Sequence, residues 1–174
     1  MMGEKEEKLQ GWFAGRLPDG WFEGPPEVSV DREEILLVGT IPDVDAGADA
    51  TDATRAAARS GRIKQFREDT REARMRIARE AEHRFGRKVS WGVVCGGERE
   101  LFTTLSVPMM TRLRMPERTV LDTLVDAGVA RSRSHALAWC VKLVAEKQGE
   151  WLKDLEEALT HVQKVRSAGP VTSA

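Results

Sequence analysis

The sequence predicts an α+β chain: a small N-terminal sheet packed by one long helix, followed by a strand-helix-helix module that pairs with a second copy of itself. Three patterns carry that prediction. Apolar runs of strand length stand at Ile35–Ile41 and Val89–Cys95, bounded by turn residues. Between them, from about Ala53 to Phe85, apolar side chains recur at helical spacing. From Met109 onward a short extended stretch closes at Pro116 and leads into two short amphipathic patterns, too small to bury their own apolar faces alone.

Composition narrows the class. The chain has 174 residues, 41% hydrophobic and 32% charged, which suits a globular protein with one or two small cores. Its unbroken apolar stretches, such as Ile35–Val38, are too short to cross a bilayer. The charged Met1–Gln10 is no secretory signal, so a cytoplasmic location without membrane contact is expected. Cys95 and Cys140 form no CxxC and no disulfide framework. A bias of 19 Arg to 8 Lys, with no Asn or Tyr, points to a GC-rich bacterial genome. The net charge of −1 conceals a strong asymmetry. Residues 1–54 hold 4 basic and 13 acidic side chains, whereas residues 55–88 hold 12 and 5, and residues 107–149 hold 7 and 4. Nucleic-acid binding follows local fields, so the near-neutral sum does not exclude it.

In order, residues 1–10 read as a charged flexible arm and 11–107 as the α+β domain. Gly11-Trp12-Phe13-Ala14-Gly15 and Gly20-Trp21-Phe22-Glu23-Gly24 form a near-repeat around Pro18-Asp19, which suggests a hairpin or folded-over loop. Its two Trp-Phe pairs either cap the edge of the core or form a binding surface. Val28–Val30 and Ile35–Ile41 are expected strands, and Pro42–Thr54 a flexible connection. The long helix carries the stripe Ile63, Phe66, Ala73, Ile77, Ala81 and Phe85, with Gly86 as its stop. Arg67, Arg71 and Arg74 share one of its faces and could track phosphates; Glu68, Glu72 and Glu80, spaced to pair with Arg71, Arg76 and Arg84, favour a solvated, ion-paired face instead. Val89–Cys95 turns at Gly96-Gly97 and returns through a strand at Leu101–Val107.

The module is expected over residues 108–148. Thr119–Val129 reads as its first helix, with Val120, Leu121, Leu124 and Val125 apolar and Gly128 at its end. The second starts at His135, with Ser134 as N-cap and Leu137, Cys140, Val141 and Val144 on one face. Residues 149–166 continue as a C-terminal helix interrupted at Gly149, with Trp151, Leu152, Leu155, Leu159 and Val162 apolar; 167–174 are expected to be a disordered tail.

Arg112-Leu113-Arg114-Met115-Pro116, a helix of about three turns, a Gly-containing bend and Arg131-Ser132-Arg133-Ser134 stand in an order that resembles the ribbon-helix-helix family of Arc, MetJ and CopG type, over about residues 109–148. The whole chain also resembles uncharacterised actinobacterial proteins, a likeness that brings no activity with it. The ribbon-helix-helix resemblance implies a homodimer whose two strands form an antiparallel ribbon, a width that fits the DNA major groove. Period 2 then turns Thr111, Leu113 and Met115 inward and Met110, Arg112 and Arg114 outward. Arg112 and Arg114 suit guanine O6 and N7 or phosphate oxygens; Met110 departs from the polar residue usual at its position. The resemblance also implies that Arg131, Ser132, Arg133 and Ser134, at the start of the second helix, meet the DNA backbone.

The function expected is therefore a homodimeric DNA-binding protein, a transcriptional regulator at the nucleoid, with a protein or small ligand at its N-terminal domain. The alternative is a dimeric scaffold that binds no DNA and holds a protein partner through that domain, including an antitoxin-like role. Whether 101–115 is one strand or two stays open. His83, His135, His161, Cys95 and Cys140 show no metal-site spacing, and no GxSxG, Walker or dinucleotide motif occurs. The expectation is no cofactor, no metal and no catalysis.

Overall fold

The computed structural model describes residues 4–169, which form six α-helices and a four-stranded mixed sheet. The chain divides into two compact units, Met1–Pro108 and Met109–Ala174.

The first unit begins with α1, Glu4–Arg16, a helix where the sequence suggested an arm and then a hairpin. Leu9 and Phe13, four residues apart, are both buried, and this one-turn pair anchors the helix despite Gly11 and Gly15. Trp12 meets Phe13 edge-on at 4.9 Å and Phe85 at 5.5 Å. Arg16 forks onto Glu80 at 2.6 and 2.7 Å. Glu80 therefore does not serve the local pairing with Arg84 that its spacing suggested. The second Trp-Phe pair lies in bends before the sheet. Trp21 meets Phe66 at 5.8 Å and Trp91 at 6.3 Å, and Phe22 lies over Gly39, where any Cβ would collide with its ring. Both pairs cap the core.

Strands β1 (Glu27–Val30), β2 (Glu34–Ile41), β3 (Lys88–Cys95) and β4 (Glu98–Leu101) lie in that order. β1 and β2 are antiparallel, β2 and β3 parallel, β3 and β4 antiparallel. The parallel pair matches Ile35 with Val89, Leu37 with Trp91 and Ile41 with Cys95, so one face is apolar along its whole length. Ile63, Ile77 and Ala81 from the crossover helices join the same core.

The crossover corrects the expectation of one long helix. It is two: α2, Asp52–Asp69, and α3, Arg71–Phe85. Thr70 separates them, with its hydroxyl donating back to the Phe66 carbonyl at 2.6 Å. Arg74 then folds over the break, donating to Thr70 Oγ1 at 2.9 Å and to the Arg67 carbonyl at 2.7 Å, an acceptor left over at the end of α2. Only 7% of Arg74 is exposed, so it belongs to no solvated face.

The return strand is also displaced. Gly96 and Gly97, at φ 54° and 88°, form the turn, and β4 follows at once as an exposed, charged edge rather than at Leu101–Val107. Phe102 N–H still donates to the Trp91 carbonyl at 2.7 Å, after which residues 103–114 form no helix or strand. Leu105 and Val107 alternate correctly but are exposed, so nothing holds them in a ladder.

In the second unit α4 spans Met115–Asp126, starting four residues before the expected Thr119 because Pro116 sits in its first turn. α5 spans Arg133–Lys147 and α6 Gly149–Ala168, the break falling at Gln148 rather than Gly149. Of the expected tail, Ser167 and Ala168 close α6, and residues 170–174 lie outside the described residues. Leu121, Ala130 and Ala136 are buried, with Leu113, Leu124, Val125, Leu137 and Cys140 packed partly against them. That core is small, and α6 buries no residue.

Candidate nucleic-acid interface

The residues singled out as DNA contacts fall in two places on the second unit. The first is the extended segment before α4. Met110 is 97% exposed, and the Arg112 and Arg114 side chains are exposed without an ion pair or hydrogen bond among the described residues. Leu113 between them is half-buried against the module's core. Arg118 Nη1 donates to the Leu113 carbonyl at 2.8 Å and Arg118 N–H to the Arg114 carbonyl at 3.1 Å, which ties the end of the segment to the first turn of α4. Thr111 and Met115, expected to face inward with Leu113, are exposed in the single chain. The segment pairs with no other strand, so a ribbon would need a second copy.

The second place is the start of α5. Here one assignment is corrected: the N-cap is Ser132, not Ser134. Ser132 is extended (φ −163°, ψ 162°), and its Oγ accepts from His135 N–H at 3.2 Å. Ser134 lies inside the first turn. His135 Nδ1 in turn accepts from Arg131 N–H at 3.2 Å, closing the bend on itself. The N–H groups of Arg133 and Ser134 meet no acceptor among the described residues and are the free donors of this helix start.

Arg133 has a different task from the one its neighbours suggested. Its guanidinium forks onto Asp122 of α4 at 2.6 and 2.7 Å. The hydrogen bonds hold the Asp122 carboxyl below its ordinary range and raise the arginine. Arg133 thus clamps α5 to α4, and Arg131 is the exposed cation left at the bend. The Asp122–Arg133 link, spanning eleven residues, had no local signal. The Ser132 cap did have one: with Arg133 as the first helical residue, its hydroxyl falls three residues before the His135 N–H.

The uncovered apolar surface lies on the same unit. Met109, Met115, Val120, Val141 and Val144 are between 49% and 79% exposed, and Trp151, Leu155, Leu159 and Val162 form an exposed stripe along α6. No group of three or more metal-ligating side chains occurs among the described residues. No described helix is long and apolar enough to cross a membrane.

Comparison with known proteins gives the chain its relatives. Residues 7–101 match the family model described as "Rv1265-like protein, N-terminal domain", and residues 114–166 match the "Mb1296 C-terminal domain". "Uncharacterized protein Mb1296" of Mycobacterium bovis and "Uncharacterized protein Rv1265" of Mycobacterium tuberculosis are each 59% identical over 159 residues, covering 91% of this chain and 69% of theirs. No solved structure matches.

Proposed function

The chain belongs to the Rv1265-like protein family, and we propose that it is a homodimeric DNA-binding protein of ribbon-helix-helix type, a regulator that lays a two-stranded ribbon in the major groove. One observation carries the reading. Arg112 and Arg114 stand unpaired on an extended segment whose intervening Leu113 turns toward the small core of the second unit. In the dimer two such segments pair antiparallel, Leu113 joins the shared core, and the arginines of both copies line one face of the ribbon. The free N–H groups at Arg133 and Ser134, with Arg131 beside them, hold a phosphate on each side. The exposed methionines and valines of the second unit supply the apolar area that two copies cover.

Selection of bound duplexes from a random pool tests this. The expected result is a short site with inverted symmetry, lost in the Arg112→Ala/Arg114→Ala variant while the dimer persists. Recovery of no preferred sequence, with a stable protein partner captured instead, supports the dimeric scaffold.

A further inference from the structure

The first unit carries a group of cations that the DNA reading leaves unused. A cleft of about 350 Å³ is lined by Ser60, Lys64, Arg67 and Glu68 of α2, Arg71 of α3 and Glu100 of β4. The lining residues of α2 and α3 follow one another at helical spacing across the break at Thr70. Lys64, Arg67 and Arg71 form no ion pair with Glu68, Glu100 or any other described carboxylate. The local pairing that would make this a solvated, self-neutralised face is therefore missing.

Beside the cleft a fourth cation is buried. The Arg74 guanidinium stands 4.8 Å from the Phe102 ring centroid and 6.0 Å from that of Trp91, and the Arg67 guanidinium lies 5.6 Å from the same Phe102 ring. Two guanidiniums thus share one aromatic ring, and among the described residues the hydrogen-bond acceptors of Arg74 are neutral oxygens of Thr70 and Arg67. Burial and then repulsion from Arg67 and Arg71 pull its pKa down to about 10. Three exposed cations beside one buried guanidinium outnumber the two carboxylates of the cleft, Glu68 and Glu100, and none is ion-paired with them, so the local field favours an anion.

We infer that this cleft binds a small phosphate-bearing anion, held by Lys64, Arg67 and Arg71. Guanidiniums suit phosphate oxygens through paired N–H donors, and Lys64 adds a point charge. A cleft of this volume has room for a small phosphate-bearing molecule between the two helices and the strand. Glu68 and Glu100, which line the same cleft, oppose the anion and limit its affinity.

Calorimetric titration of the full-length protein with inorganic pyrophosphate, at constant ionic strength, tests the site. One saturable site per chain is expected, weakened about tenfold or more by Lys64→Gln/Arg71→Gln, since each lost contact is a charge-assisted hydrogen bond. Both residues are exposed, so the variant keeps its fold. Glu68→Gln is expected to tighten binding. Absence of saturable binding, or binding that the double variant leaves unchanged, overturns the proposal. So does a double variant that loses duplex affinity while the wild type ignores pyrophosphate, which makes the cluster a DNA-backbone contact. Arg112→Ala/Arg114→Ala, lying on the other unit, is expected to retain the pyrophosphate site, so failure of the DNA reading stays distinguishable.

Discussion

At the residue scale, two positions in the first unit show how side chains and their absence shape the sheet. Gly39 on β2 leaves room for the Phe22 ring, and a methyl there would overlap it. Gly39→Ala is expected to cost about 1–3 kcal/mol by overpacking, measured by urea denaturation. Asp43 is the second. Hydrogen bonds from Arg59 at 2.8 and 2.9 Å, with one from Val44 N–H, hold its carboxyl at about 2, below the ordinary 3.8. Because the folded value is depressed, the stability this pair contributes is present above pH 3.8 and fades as pH falls toward 2. An NMR titration should find the Asp43 midpoint near 2, moving up toward 3.8 in Arg59→Gln. Arg74 was the residue least legible in the sequence. Its spacing from Arg67 and Arg71 placed it on a charged face, but its guanidinium folds back over the break at Thr70 onto Thr70 Oγ1 and the Arg67 carbonyl, which a periodicity count does not register.

At the element scale, apolar runs located β2 and β3 well, because both run through the core and bury side chains on both faces. Apolar patterning placed the return strand at Leu101–Val107 instead of β4, since an edge strand of Glu98, Arg99 and Glu100 has no buried face to leave a pattern. It missed α1 for a related reason: only Leu9 and Phe13 of that helix are buried among the described residues, and the charges before them read as an arm. The start of α5 gives a direct test of cap position. Ser132→Ala is expected to destabilise the second unit by about 1 kcal/mol. Ser134→Ala, without a capping bond, should stay within about 0.5 kcal/mol in the same denaturation experiment. Equal effects at both positions would mean that the helix start slides between them.

At the scale of the whole molecule, the core of the first unit, among the described residues, holds fourteen buried side chains from α1 through Phe102, and that of the second holds three. A unit with so small a core and so much exposed apolar surface gains most from a second copy. Sedimentation at micromolar concentration should give a dimer, and Leu113→Ala should weaken it by about 2–5 kcal/mol, a large-to-small change at a shared core. The order of helix, bend and helix was legible because Pro116 and Gly128 mark it chemically, whereas the expected strand before it is no strand among the described residues and the cap was placed two residues late, at Ser134. What covers the apolar faces was not legible, since a partner leaves no local signal in one chain.

The most direct measurement is the affinity for the selected duplex as a function of salt, wild type against Arg112→Ala and Arg114→Ala. A ribbon in the groove predicts a steep loss of affinity with salt, and about 1–3 kcal/mol lost per substitution with relaxed specificity at one position of each half-site. Unchanged affinity and selectivity in both variants would contradict it, as would variants that dissociate the dimer while their remaining binding stays equally selective.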